Sequence, residues 1–162
     1  MDLTDRRLLA ALRDNGRASW AELGRLVGMS GPSVQERVRR LEERGVITGY
    51  TAQVSAPSVG LGVSALVDLY QRDDTDSAEL AEQLREIDAV EDCWYVAGDE
   101  EFVVKVRAAD VPGLEAVVSS LRRLRGVSRT RTTVVLSTFW EGRGLPMVTD
   151  AEAGDSPTDQ PT

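Results

Sequence analysis

"SWAELGRLVGMSGPSVQERVRRLEERG", residues 19–45, decides the fold of the first third of the chain. Ser19 and Glu22 stand at the reciprocal spacing of a capping box, so a short helix starts there and buries Trp20, Leu23, Leu26 and Val27 before Gly28 stops it. After the tight "GMS", a further helix opens with Ser30 or Gly31 as its cap and Pro32 in its first turn, and runs to Arg44 with Gly45 as terminator. Two helices joined by so short a turn, the second starting with small polar residues, are the helix-turn-helix plan.

In the second of these helices Val34, Val38 and Leu41 recur at core spacing, which turns Pro32, Ser33, Glu36, Arg39, Arg40 and Glu43 outward. Ser33, Gln35 and Glu36 can read base edges in a major groove, Gln suiting adenine and Glu the cytosine amine, while Arg39 and Arg40 can meet guanine or phosphate. The candidate DNA-binding set is Ser30, Gly31, Ser33, Gln35, Glu36, Arg37, Arg39 and Arg40. The same face also reads as solvated surface laced by Glu36–Arg40 and Arg39–Glu43 pairs.

Upstream, Thr4 caps a first helix carrying Leu8, Leu9 and Leu12, ended by Asn15-Gly16; downstream, "VITGYTAQV" (46–54) reads as a strand. Residues 1–54 are therefore expected to form a winged helix-turn-helix domain. "SAPSVGLG" (55–62), small, proline-bearing and uncharged, is the expected linker. Beyond it the pattern changes. Strand "VSALVDLY" (63–70), helix "SAELAEQLREI" (77–87) and strand "VEDCWYVA" (90–97) are followed by strand "FVVKVRA" (102–108), helix "VPGLEAVVSSLRRL" (111–124) and strand "VSRTRTTVVLSTF" (127–139). This doubled order predicts a ferredoxin-like βαββαβ domain over 63–146, and an α+β chain. The acidic stretch 147–162, poor in large apolar side chains, is expected to be disordered.

The totals exclude several classes. No run approaches the roughly 18 apolar residues of a membrane span, the start lacks a secretory pattern, and the single Cys93 cannot form an internal disulfide, so a cytoplasmic protein is expected. There is no histidine, which removes the commonest general base and the usual zinc sets; no cofactor or metal is expected. The net charge of −8 argues at first sight against nucleic acid, yet residues 1–52 hold nine arginines against seven acidic residues. Only Lys105 is a lysine among nineteen basic residues, which reads as a compositional bias toward arginine.

The stretch "LTDRRLLAALRDNGRASWAELGRLVGMSGPSVQERVRRLEERGVITGYTAQV", with "YVAGDEEFVVKVR" and "LRGVSRTRTTVVLS", resembles the Lrp/AsnC, or feast/famine, transcriptional regulators to about Pro146. The resemblance implies sequence-specific binding to double-stranded operator DNA. It also implies a homodimer built by packing the sheets of the C-terminal domain, assembly to tetramers or octamers, and amino-acid-like effectors bound between subunits.

"AGDEEF" (97–102) is the loop on which that implied effector site falls. As a bare hairpin, Gly98-Asp99 has the glycine-first order of a type II′ turn and acidic residues at a tip need no function. By resemblance, Gly98 and Asp99 match the family's effector loop and Glu101 stands where aspartate is usual. Glu100 departs from a position that is often aromatic. The candidate effector set is Gly98, Asp99, Glu100, Glu101 and, as a second wall, Thr133; crowded carboxylates favour a cationic ligand such as lysine or arginine.

The remaining features read blandly. Cys93 is expected to be a buried structural thiol, "GLG" (60–62) is linker rather than a dinucleotide fingerprint, and "SRTRTT" is one polar face of the last strand. Two rival functions remain at this stage: an effector-binding and oligomerisation module without DNA binding, and a fold-related tetrapyrrole decarboxylase, which the missing histidine disfavours.

Overall fold

The computed structural model describes residues 1–142, 144 and 145, so the tail expected to be disordered lies outside the described residues. Two compact units are present, one holding Met1–Gln53 together with Gly142, Gly144 and Leu145, the other Val54–Glu141.

The first unit has three helices, α1 (Leu3–Asp14), α2 (Trp20–Val27) and α3 (Gly31–Glu43). α1 starts earlier than expected, because Asp2 and not Thr4 is its cap. Asp2 Oδ1 accepts from the Asp5 N–H at 2.8 Å while Asp5 Oδ2 accepts from the Asp2 N–H at 3.1 Å, a capping box made with aspartate at the position glutamate usually fills. α2 has the expected box: the Glu22 N–H donates to Ser19 Oγ at 3.2 Å and the Ser19 N–H to Glu22 Oε2 at 2.7 Å. Ser30 caps α3 by accepting from the Ser33 N–H at 3.3 Å. Leu8, Leu12, Leu23, Val34 and Val38 form the core. Leu23 is buried as expected, but Trp20 and Leu26 are exposed. With only three helices, two turns of α2 cannot turn all four apolar residues to one interior.

The strand expected over 46–54 does not form. A strand needs a partner, and the first unit offers none among its described residues. Ile47 packs against the helical core instead, and the Tyr50 hydroxyl donates to Glu42 Oε1 at 2.8 Å, tying the extended segment to α3; burial and that carboxylate push the tyrosine up to about 12.

The second unit carries β1 (Val63–Gln71), α4 (Ser77–Arg85), β2 (Val90–Tyr95), β3 (Phe102–Ala108), α5 (Val111–Arg122) and β4 (Val127–Val134). The sheet order is β2-β3-β1-β4, with each neighbouring pair antiparallel, which is the ferredoxin-like arrangement expected. β4 stops five residues short of the expected Phe139. Ala65, Val67 and Leu69 of β1 and Phe102, Val104 and Val106 of β3 point to one face, where Leu80 and Leu84 of α4 and Leu114 and Leu121 of α5 cover them. Each fully buried Leu or Val here contributes about 1.5–3 kcal/mol over exposure.

The opposite face is left without helices. Leu66, Lys105, Arg107, Trp94 and Thr133 stand there in register, and the chain after β4 returns so that Glu141 pairs with Lys105 and Arg107. Cys93 is exposed, contrary to expectation, because β2 is an edge strand whose residues from Glu91 to Tyr95 are all exposed; partial burial still pushes its thiol up.

Candidate nucleic-acid interface and effector loop

α3 keeps Val34 and Val38 fully buried and Leu41 nearly so, and presents Pro32, Ser33, Gln35, Arg39 and Arg40 to solvent. Ser30 and Gly31 form its start, and a Cβ added at Gly31 would stand at ordinary contact distance from Trp20. No acidic residue occupies the first turn, so the positive end of the helix dipole is uncompensated there and suits a phosphate. Further along, charges meet within the helix. Arg39 Nη2 donates to Glu36 Oε1 at 2.8 Å and Arg40 Nε donates to the same oxygen at 3.1 Å, while Arg39 also pairs with Glu43. The guanidinium groups of Arg39 and Arg40 hold the Glu36 carboxyl down at about 2. The solvated-face reading is thus realised, since both expected pairs, Glu36–Arg40 and Arg39–Glu43, are present.

Arg37 has a different job from its neighbours. Its Nη1 donates to Asp2 Oδ2 at 2.6 Å and to Asp5 Oδ1 at 2.7 Å, so it clamps α3 to the capping box of α1. Asp5 is 7% exposed, and this pairing satisfies its second oxygen. The structure therefore places Arg37 inside the domain's own frame, apart from the outward set. A cleft of about 540 Å³ beside this clamp is lined by Ser33, Glu36, Arg37, Arg40 and Arg44.

Gly24 was not singled out from sequence. The Met29 N–H donates to the Gly24 carbonyl at 2.9 Å, and a Cβ on Gly24 would stand 2.5 Å from the Met29 carbonyl oxygen. Only a hydrogen fits where the turn folds back on α2. The available signal was a glycine inside an eight-residue helix, where it weakens propensity by about 1 kcal/mol against alanine.

The candidate effector loop spans residues 96–101 and is no two-residue hairpin. It is closed by the Val96 N–H donating to the Glu101 carbonyl at 2.8 Å, and Gly98 lacks the positive φ that a type II′ turn requires. Glu101 faces the sheet: its N–H donates to the Leu69 carbonyl at 3.2 Å, and its Oε2 accepts from the Gln71 N–H at 2.8 Å, where β1 bulges away from β4. Glu100 folds its carboxyl back over Gly98, and Asp99 is exposed. Thr133 is opposite Leu66, five residues along β1 from Gln71, or roughly 16 Å. Within one chain the structure gathers Gly98 to Glu101 and leaves Thr133 apart.

The charge cluster on the open sheet face was also missed. Lys105 Nζ lies 2.7 Å from Glu91, Arg107 Nε lies 2.9 Å from Glu91, and Glu141 reaches both cations. Burial lowers the Lys105 pKa but the bonds to Glu141 and Glu91 outweigh it, and Lys105 and Arg107 together hold Glu141 below the usual carboxylate range. The visible signal was a cation at i and i+2 in the alternating "FVVKVRA".

Comparison with known proteins agrees with both halves. Residues 1–42 match the AsnC-type helix-turn-helix domain and residues 63–145 the Lrp/AsnC ligand binding domain. The chain is 40% identical over 143 residues to the HTH-type transcriptional regulator LrpA of Mycobacterium tuberculosis, covering 88% of this chain and 95% of that protein. Among solved structures, a feast or famine regulatory protein from M. tuberculosis complexed with L-methionine superposes with a TM-score of 0.84 at 40% identity, covering 89% of this chain and 97% of that one. A transcriptional regulator of Neisseria meningitidis in complex with L-methionine gives 0.85 at 28% identity, covering 90% and 96%. Among the described residues no helix is long and apolar enough to cross a membrane. A capped helix-turn-helix on one unit, a ferredoxin-like sheet on the other and relatives that match both end to end make one assignment: the chain belongs to the Lrp/AsnC family of helix-turn-helix transcriptional regulators.

Proposed function

We propose that the protein binds operator DNA in the cytoplasm as a homodimer or a larger even-numbered assembly, and that an amino acid bound at the 96–101 loop alters that binding. The observation that carries the reading is the outward face of α3, with Ser33 and Gln35 exposed at its start and Arg39 and Arg40 behind them. Ser33, Gln35 and Glu36 meet base edges, Arg39 and Arg40 meet phosphate or guanine, and Arg37 holds the helix in place. Two copies related by a two-fold axis would address half-sites about one helical turn apart.

The assembly is supported by the open sheet face, which leaves Trp94, Phe139 and Trp140 exposed in a single chain. A second copy packing there would cover them. Because Thr133 is distant from the loop in one chain, the two parts of the effector site meet only between copies.

Glu101 has one oxygen committed to the Gln71 N–H, which leaves Asp99 and Glu100 to receive an ammonium group. Two relatives are complexed with methionine; the paired free carboxylates here favour lysine or arginine. An effector changes operator affinity only through differential binding to two assembly states. Gel shift of the full chain on its own upstream region, with and without each amino acid, tests both halves. A salt-sensitive, site-specific shift that lysine or arginine modulates supports the reading. No shift under any condition leaves an effector-binding module, and modulation by apolar amino acids alone overturns the cationic assignment.

A further inference from the structure

β4 is an edge strand, and its "SRTRTT" run does not make one polar face. Thr130 and Thr132 pair with Leu69 and Val67, so they stand on the helix-covered side, whereas Arg129 and Arg131 pair with Tyr70 and Asp68 on the open side. Alternation alone leaves the two threonines unexplained on a side that is otherwise apolar. They line a cleft of about 500 Å³ between β4 and the end of α5, together with Arg72, Arg122 and Arg129.

The charge of this cleft is one-sided. Residues 122–131 hold five arginines and no acidic residue, in a chain whose formal net charge is −8. Nearby arginines have carboxylate partners: Arg125 lies 3.6 Å from Glu79 and Arg131 lies 3.5 Å from Asp68. Among the described residues Arg72, Arg122 and Arg129 have none, and Arg129 stacks over Tyr70 at 3.8 Å instead. That stacking turns the Arg129 guanidinium to the open side of the sheet and leaves Arg72 and Arg122 as the cations of the cleft, where like charges repel unless an anion joins them.

We propose that this cleft binds a small phosphate-bearing anion, a phosphate ester or diphosphate, at a site separate from the 96–101 loop. Guanidinium forks match phosphate oxygens in bidentate geometry, and a dianion balances the two of Arg72 and Arg122. The threonine hydroxyls supply neutral donors. Val118 and Val127 give an aliphatic floor for the carbon part of an ester. The volume falls within the roughly 300–1,000 Å³ of small-molecule sites, and a short cleft on one strand edge suits a compact ligand better than a continuous duplex backbone.

Isothermal titration of the full chain with inorganic pyrophosphate tests the site. Saturable binding is expected, weakened about tenfold or more in Arg122→Ala and in Arg72→Ala, since each removes a charge-assisted hydrogen bond. Arg85→Ala, on α4 and away from the cleft, is expected to bind as the parent does. Absence of saturable heat, or equal affinity in both cleft variants and the parent, overturns the proposal. So does a third result, in which pyrophosphate gives no heat while Arg122→Ala weakens binding of an unrelated 30-base-pair duplex; the arginines would then follow DNA.

Discussion

Arg37 of α3 and Asp5 of α1 are joined at 2.7 Å across the helical core, with Asp5 almost wholly buried. The bond makes the start of the chain part of the frame that aims α3. Arg37→Ala should therefore lower the melting temperature by about 3–6 °C, the loss of charge-assisted hydrogen bonds in a chain of this size. An outward arginine behaves otherwise: Arg40→Ala should leave melting nearly unchanged while weakening operator binding. Circular dichroism melts beside gel shifts separate the two.

Gly24→Ala sets two known effects against each other. Alanine gains about 1 kcal/mol in helix propensity, whereas a Cβ held 2.5 Å from the Met29 carbonyl forces the turn to move, and such overpacking costs about 1–3 kcal/mol. The contact is with backbone and cannot swing away, so net destabilisation and weaker operator binding are expected from chemical denaturation and gel shift. A stabilised variant would show that the turn yields freely.

Glu36→Gln should raise affinity for non-operator DNA. The carboxylate that now occupies Arg39 and Arg40 becomes neutral, which releases Arg40 to phosphate and leaves Arg39 held by Glu43 alone. Each added phosphate contact steepens the dependence of log K on log salt by about 0.9. Titrations of a non-operator duplex at several salt concentrations read the slope; an unchanged slope would mean that neither arginine reaches phosphate.

Stability should fall on acidification from about pH 4.5 toward 2. Glu36 has a folded value of about 2 against 4.5 for the free side chain, so its contribution is full above pH 4.5 and is lost as pH falls through 2. Glu22, lowered by the Ser19 hydroxyl and N–H, and Glu141, lowered by Lys105 and Arg107, act in the same direction. Urea midpoints measured across this window should drop for the parent and drop less for Glu36→Gln.

What could be read in advance was whatever local chemistry decides. Ser19-Glu22, Ser30, Pro32 and the Val34-Val38-Leu41 stripe give α2 and α3 with no reference to the rest of the chain, and the alternation in "FVVKVRA" gives β3 to the residue. Non-local conditions decided the failures. Residues 46–54 have strand-like composition but no strand to pair with, Trp20 has no interior left to enter, and Cys93 lies on an edge. The loop at 96–101 shows the same division. Its carboxylates were visible, but the attachment of Glu101 to Gln71 depends on a bulge in another strand, thirty residues away.

The exposed position of Cys93 has a practical side. A chain with one thiol, set on an outer strand next to Trp94, accepts a single fluorophore at a known place without any engineering. The raised thiol pKa calls for a mildly alkaline labelling buffer. Cys93 is opposite Val104 and Trp94 opposite Val103, so the dye sits on the other side of the sheet from Trp94 and leaves the open face clear, and energy transfer between labelled copies then follows assembly in real time.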